Sequence, residues 1–208
     1  IAVIRMPKIS NFTDFAPFER AENCSVRYIE KPEEFGAPDL LIIPGTKSTI
    51  SDLRFLKTSG LAEQIVAAAH RKIPVFGICG GFQILGESVE DPAGIEGGGC
   101  ETGLGLLPVR TAFQEIKCLQ KVYGRIEGVA GIFSSLNGLK YAGYEIHMGV
   151  SGNEEAVISQ GNVYGTYVHG IFDERGIVST IVRALTGKDY TEDTDTQSYK
   201  ERNYELLA

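Results

Sequence analysis

The sequence predicts an α/β fold: a mostly parallel central sheet flanked by helices, with an antiparallel extension in the second half. Three observations carry this. Short β-branched runs alternate with helical patterns through the first half, as in βαβ units whose sheet is covered on both faces. A cysteine bracketed by glycines, in "VFGICGGFQILG" (75–86), stands at the junction of a buried strand and a helix. Beyond it, strand-like runs follow one another before a last helical pattern.

The first strands are "IAVIR" (1–5), "SVRYIE" (25–30), "DLLIIPG" (39–45) and "PVFGIC" (74–79). Two helices cross over between the last two. "STISDLRFLKTSG" starts at Ser48 or Thr49 as N-cap and ends at Gly60, and "LAEQIVAAAHRK" is amphipathic and stops before Pro74. The glycine-rich stretch 91–105, "DPAGIEGGGCETGLG", reads as a loop. "LLPVRTAF" (106–113), "KYAGYEIHMG" (140–149), "EAVISQ" (155–160) and "VYGTYVHGIF" (163–172) read as strands, and "RGIVSTIVRALTG" (175–187) as a helix ended by Gly187. The polar tail, 191–208, reads as a loose link and a last helix.

With 208 residues, 43% of them hydrophobic, the chain can bury a sizeable core. A net charge of −7 without any lysine or arginine run argues against nucleic acid or an anionic membrane as partner. No apolar run reaches the roughly 18 residues of a membrane span, and the N-terminus lacks the apolar length of a signal peptide, so the expected setting is cytoplasmic. Cys24, Cys79, Cys100 and Cys118 are irregularly spaced, with no pair or nearby histidine of zinc-module type; reduced thiols and no metal are expected. A strand-like start at Ile1 suggests a piece of something longer.

Gly77-Ile78-Cys79-Gly80-Gly81 has the form of a nucleophile elbow with cysteine in place of serine. Residues two before and two after the nucleophile crowd one another on so tight a turn, and here both are glycine. A helix N-terminus favours thiolate over thiol, and the Gly80 N–H points to where an oxyanion would form. An isolated cysteine is more often a small buried apolar residue, and it is the flanking glycines that shift the reading to a nucleophile. Three histidines are available as base. His70, at a helix end, is accounted for by the dipole, whereas His147 and His169 both end strand-like runs, where parallel sheets present their sites. His169, followed by Gly170, has the look of an exposed turn.

Taken together, "GICGGFQ" and "YGTYVHGIFD" resemble the triad-type (class I) glutamine amidotransferases, with their cysteine elbow, a glutamine soon after it and a late histidine. "IAVIRMPKISNFTDFAPFE", "LIIPGTKSTISDL", "GICGGFQILG", "GLGLLPV" and "GYEIHMG", spread over most of the chain, are similar to the C-terminal glutaminase domains of the cobyric acid synthase family. The stretch "PKISNFTDF" favours that family over the a,c-diamide synthases, which share the elbow. The resemblance implies a flavodoxin-like class I amidotransferase fold: one domain over 1–208, with 190–208 as a C-terminal extension. It implies hydrolysis of glutamine through a cysteine thioester. The ammonia would serve ATP-dependent amidation of corrin side-chain carboxylates, converting adenosylcobyrinic acid a,c-diamide to adenosylcobyric acid in cobalamin biosynthesis. Its partners would be glutamine, the N-terminal synthetase domain that precedes such glutaminases and is absent here, and a corrinoid through that domain. ATP and Mg belong to the synthetase; no cofactor is expected in this chain.

Carried over by position, Cys79 would be the nucleophile and His169 the base. Gly45 or Thr46, with Gly80, would form the oxyanion hole, and Gln83 would contact substrate, though a helix-face role suits Gln83 equally. Lys47 does not make a phosphate loop, since no glycine directly precedes it. Asn11-Phe12-Thr13 is a formal sequon that a cytoplasmic chain leaves silent. Most triad enzymes carry glutamate two residues after the histidine, where this chain has Ile171. Either a dyad suffices, or Asp173, Glu174 or Glu145 orients the ring from another direction. Glu145 and His147, two apart on a strand, share a face and either serve the site or pack against the synthetase domain. The rival from another class is a cysteine hydrolase or redox protein on the same elbow.

Overall fold

A computed structural model describes residues 1–21 and 23–188. The first half builds a parallel sheet from short, apolar strands: β1 (Ala2–Ile4), β2 (Arg27–Ile29), β3 (Leu41–Ile43) and β4 (Val75–Ile78). Every residue of β1, β3 and β4 is buried, as strands covered on both faces require. Between β1 and β2 lie a 3₁₀ turn, Phe12–Phe15, and the short α1 (Ala16–Glu19). Helices α2 (Thr49–Ser59) and α3 (Leu61–His70) make the crossover from β3 to β4, hinged at Gly60 with φ +81°. Helix α4 (Gly80–Leu85) follows β4 at once and is wholly buried.

The second half adds β5 (Ser88–Asp91), β6 (Gly99–Thr102), β7 (Arg110–Arg125) and β8 (Lys140–Val150), which form a separate four-stranded sheet in the order β6-β5-β7-β8. The chain then returns through β9 (Ile158–Gln160) and β10 (Val163–Thr166) and closes with α5 (Ile177–Thr186). The main sheet has the order β2-β1-β3-β4-β10-β9, parallel except for β9 at its edge. Leaving out that edge strand, this is the flavodoxin-like order, in which ligands bind beyond the carboxyl ends of the central strands. His70 ends α3 and is exposed. Among the described residues no helix is long and apolar enough to cross a membrane.

The predicted elements recur with shifted bounds. Segment 91–105, read as a loop, contains β6. Its turn is fixed by the Asp91 carboxylate, which accepts the N–H groups of Ile95, Glu96 and Gly98 at 2.7–2.8 Å, so Gly99–Thr102 folds back antiparallel onto β5. The strand placed at 106–113 begins only at Arg110, since the N–H groups of Leu106 and Leu107 are spent on Leu85 O and Pro108 has none. Segment 163–172 leaves the sheet after Thr166, whose hydroxyl turns to Ala156 O and accepts from Val168 N. The tail expected at 190–208 lies outside the described residues.

Candidate active site

Cys79 caps α4 with φ +49° and ψ −108°, a conformation costly for a residue with a Cβ. The turn is held from both sides. Cys79 N donates to Thr166 O at 2.8 Å, and Cys79 O accepts from Gln83 N at 3.0 Å. A Cβ on Gly77 would stand 2.8 Å from the backbone of Gly81 and 2.6 Å from Leu85, and one on Gly81 would collide with the backbone of Ile43 and Pro44. The two flanking glycines are therefore steric requirements of the elbow and of its packing on β3.

His169 follows β10 and is buried at the seam of the two sheets. Its N–H donates to Tyr144 O at 2.8 Å and its carbonyl accepts from Tyr144 N at 3.1 Å, while the two rings stack at 5.3 Å. Nδ1–H donates to Asp14 Oδ2 at 2.8 Å, and the side-chain amide of Asn11 lies 2.8 Å from the same nitrogen. The other Asp14 oxygen accepts Gly170 N–H at 2.9 Å. With Nδ1 so occupied, Nε2 is left to serve Cys79. Burial disfavours the imidazolium, but the bond to Asp14 and the contact with Cys79 outweigh it and raise the pKa of His169 to about 9. Thiol, imidazole and a carboxylate that fixes the tautomer are thus arranged as a nucleophile–base–acid triad requires.

The carboxylate bonded to His169 is Asp14, not Asp173, Glu174 or Glu145, the alternatives that the sequence offers. Asp173 sits at the foot of the turn after His169, with Oδ2 against Gly170. Glu145 is engaged by Gln120 at 2.9 Å and lies 3.7 Å from His147. Asp14 is 155 residues from His169 in sequence, and the one signal that could have found it is its place within "PKISNFTDF". Asn11, the first residue of the formal sequon, adopts φ +55° and faces His169.

Gly45 lies against both reactive side chains. A Cβ there would be 3.1 Å from His169 Cε1 and 3.9 Å from Cys79 Cβ, so any side chain would wedge between nucleophile and base. Thr46 pairs with Ile9 in an isolated antiparallel bridge and packs on Gly80, where a Cβ would stand 3.1 Å from Thr46 N. The Thr46 hydroxyl donates to buried Asp52 at 2.6 Å. The backbone nitrogens of Thr46 and Gly80 thus lie close together beside the elbow. Gln83 is buried, accepting from Thr49 Oγ1 at 3.0 Å and donating to Tyr167 OH at 3.3 Å. Burial pushes the Tyr167 phenol up to about 12, which keeps it a neutral hydroxyl able to accept from Gln83.

These groups open onto a cavity of about 450 Å³ that also takes in Glu96, Lys117 and His147. Glu96 is delivered by the turn around Asp91, and its carboxylate is raised above the usual range, mainly by burial. Lys117 comes from β7. Neither was singled out by sequence reasoning, because charge alone does not distinguish them from solvated surface residues.

The model of the CobB/CobQ-like glutamine amidotransferase domain matches residues 1–177. The chain is 46% identical to a cobyric acid synthase of Lachnoclostridium phytofermentans, an alignment that takes in 100% of this chain and 47% of the relative. It is 44% identical to a probable cobyric acid synthase of Methanosarcina barkeri, over 100% of this chain and 44% of that protein. The chain therefore spans about half the length of the curated relatives it matches. Among solved structures, it superposes on a chain of the PurLQS complex of Thermotoga maritima with TM-score 0.66 at 20% identity, covering 89% of this chain and 98% of that one. A crystal structure of a glutamine amidotransferase gives TM-score 0.60 at 15% identity, covering 90% and 100%. At such identities the structural likeness establishes the fold.

Proposed function

The chain belongs to the CobB/CobQ-like glutamine amidotransferase domain family, and from that premise we propose that it is the glutaminase portion of a cobyric acid synthase. The observation that carries the reading is the buried Cys79–His169–Asp14 arrangement opening on a cavity with charges of both signs. Glutamine needs such a cavity. Its α-ammonium suits Glu96, its α-carboxylate suits Lys117, and its side-chain amide reaches Cys79 past Gln83. A generic cysteine hydrolase or redox protein has no need of that charge pattern.

In this mechanism His169 Nε2 takes the thiol proton and the thiolate attacks the amide carbon. The negative charge that develops on the amide oxygen is met by the N–H groups of Thr46 and Gly80. His169 returns the proton to the leaving nitrogen, ammonia departs, and a thioester remains. Water, deprotonated by His169, then cleaves the thioester to release glutamate and restore the thiol. Asp14 stabilises the imidazolium at each stage and keeps Nδ1 protonated. The ammonia would pass to a synthetase portion that uses ATP and Mg to amidate corrinoid carboxylates. The setting would be the cytoplasm.

A glutamine-analogue chloroketone, applied to the full polypeptide, tests this. Stoichiometric labelling at Cys79, blocked by glutamine and lost in Cys79→Ser, is expected. No labelling in the presence of the synthetase portion would refute the glutaminase reading.

A further inference from the structure

The register of the β7–β8 ribbon places three metal-binding side chains on one face. Cys118 pairs with His147 and Gln120 with Glu145, and since side chains two apart along a strand project the same way, Cys118, Glu145 and His147 converge. Their ligand atoms all lie within 4.8 Å of one another: Glu145 Oε2 is 3.9 Å from Cys118 Sγ and 3.7 Å from His147 Nε2.

His147 supplies the decisive detail. Its Nδ1–H donates to Gly149 O at 2.8 Å, which leaves the lone pair on Nε2. The ring is stacked on Tyr167 at 3.9 Å, and its side chain is only 10% exposed. Nε2 is itself buried and makes no hydrogen bond among the described residues, its lone pair standing 3.7 Å from a carboxylate. With the ring neutral, Nε2 and the carboxylate are two electron-rich groups that either a proton, making them an ion pair, or a metal cation bridges. A buried polar atom left without either is costly. Two of the three ligands also have the outer support that metal-binding side chains usually carry: the Gly149 carbonyl behind His147, and the Gln120 amide donating to Glu145 at 2.9 Å.

We propose that Cys118, Glu145 and His147 bind one divalent cation of the zinc class. One thiolate, one imidazole and one carboxylate suit a borderline-soft ion, and not Mg²⁺ or Ca²⁺. Metal–ligand bonds of about 2.0–2.3 Å in tetrahedral geometry set ligand–ligand edges of roughly 3.3–3.6 Å. The two separations to Glu145 reach that range by closing a few tenths of an ångström, and the Cys118–His147 edge, within 4.8 Å, closes as both side chains turn toward the ion. Three protein ligands leave a fourth position for water, and because His147 also borders the catalytic cavity, the ion would stand beside the glutaminase site without belonging to it. Binding forms bonds to Sγ, Nε2 and Oε2 and releases the Cys118 thiol proton to solvent; no oxidation is involved.

The test uses metal-free full-length polypeptide titrated with Co²⁺, whose thiolate charge-transfer and tetrahedral ligand-field bands report the ligand set directly and without reference to glutamine. One Co²⁺ per chain is expected, displaced by Zn²⁺. Charge transfer is lost in Cys118→Ser and kept in Cys79→Ser. His147→Gln and Glu145→Gln should each weaken Co²⁺ by about 100-fold or more, beyond the effect usual for outer-shell groups. Absence of a stoichiometric charge-transfer band in the parent protein, or a band that survives Cys118→Ser, would overturn the site. Neither result bears on whether Cys79 hydrolyses glutamine.

Discussion

The parallel sheet and the β7–β8 ribbon meet at one cavity and are built on opposite terms. Strands β1, β3 and β4 have three or four residues each, all buried, whereas β7 has 16 and carries Ile116, Leu119 and Tyr123 at 82%, 71% and 83% exposure. The parallel sheet contributes the groups that must not move: Cys79 from the end of β4, and Gly45 and Thr46 from the end of β3. The ribbon contributes Lys117, Ile146 and His147, which border the cavity. His169 belongs to both, since it leaves β10 and is clamped on Tyr144 of β8. The difference teaches that the geometry around Cys79 is held by buried backbone, while the facing wall of the cavity is drawn from a more exposed element.

The largest effect that would sharpen this division is chemical. Cys79→Ala should lower glutamate release by about 10⁴–10⁶-fold while leaving folding intact, because alanine fits where cysteine already stands. Assay of glutamate release alongside circular dichroism checks both halves of the statement. Gly81→Ala should act in the other way, by destabilising the fold. Its Cβ would sit 2.6 Å from the Ile43 carbonyl carbon, and neither β3 nor the elbow can give way, so a loss above about 4 kcal/mol is expected in denaturant unfolding. At Gly152, just past the end of β8, a Cβ meets nothing within 4 Å, and Gly152→Ala at φ +69° should cost only about 1–2 kcal/mol. Equal losses at the two glycines would break the contrast.

Legibility in the sequence follows the same division. Cys79, Gly80, Gly81 and Gln83 lie within five residues, and the constraints on them are local: a tight turn, a helix start and a strand with two covered faces. That β1, β3 and β4 belong to a mostly parallel sheet is readable from apolar runs broken by helical spacing, whereas their order is not. Asp14 was not, because a lone aspartate in a polar stretch becomes the partner of His169 only when the 3₁₀ turn after β1 is brought against the loop after β10. β6 was hidden for a related reason. Its glycines signal a loop, and the pairing onto β5 is decided by a carboxylate that gathers three N–H groups. The extent of β7 was obscured by its exposure, since a strand with little buried surface shows no clean alternation.

Asp14→Asn probes the seam between the two regions. Loss of the carboxylate should reduce glutaminase turnover by about 10²–10⁴-fold and lower the pKa of His169 from about 9. The consequence for stability has a definite sign. A histidine whose folded pKa stands above its unfolded value of 6.5 adds stability that is full below that value and is lost as pH rises through about 9. The variant should therefore be destabilised by up to about 3 kcal/mol at pH 6 and by much less at pH 9.5. A pH-independent loss would mean that Asp14 acts by packing and its bond to Gly170 alone.

The smallest expected effect is on the ribbon. Ile116→Thr and Leu119→Thr keep β-branching or strand preference while removing apolar surface that is already in water, so little transfer energy is at stake. Each should change unfolding free energy by less than about 0.5 kcal/mol. Leu85→Ala, at a fully buried position of α4, should cost about 2–5 kcal/mol because it opens a cavity under the elbow. Denaturant unfolding of the three variants compares them on one scale. If the ribbon substitutions cost as much as the core one, then Ile116 and Leu119 are covered in the folded protein, and the ribbon's outer face is part of a core that the described residues do not complete.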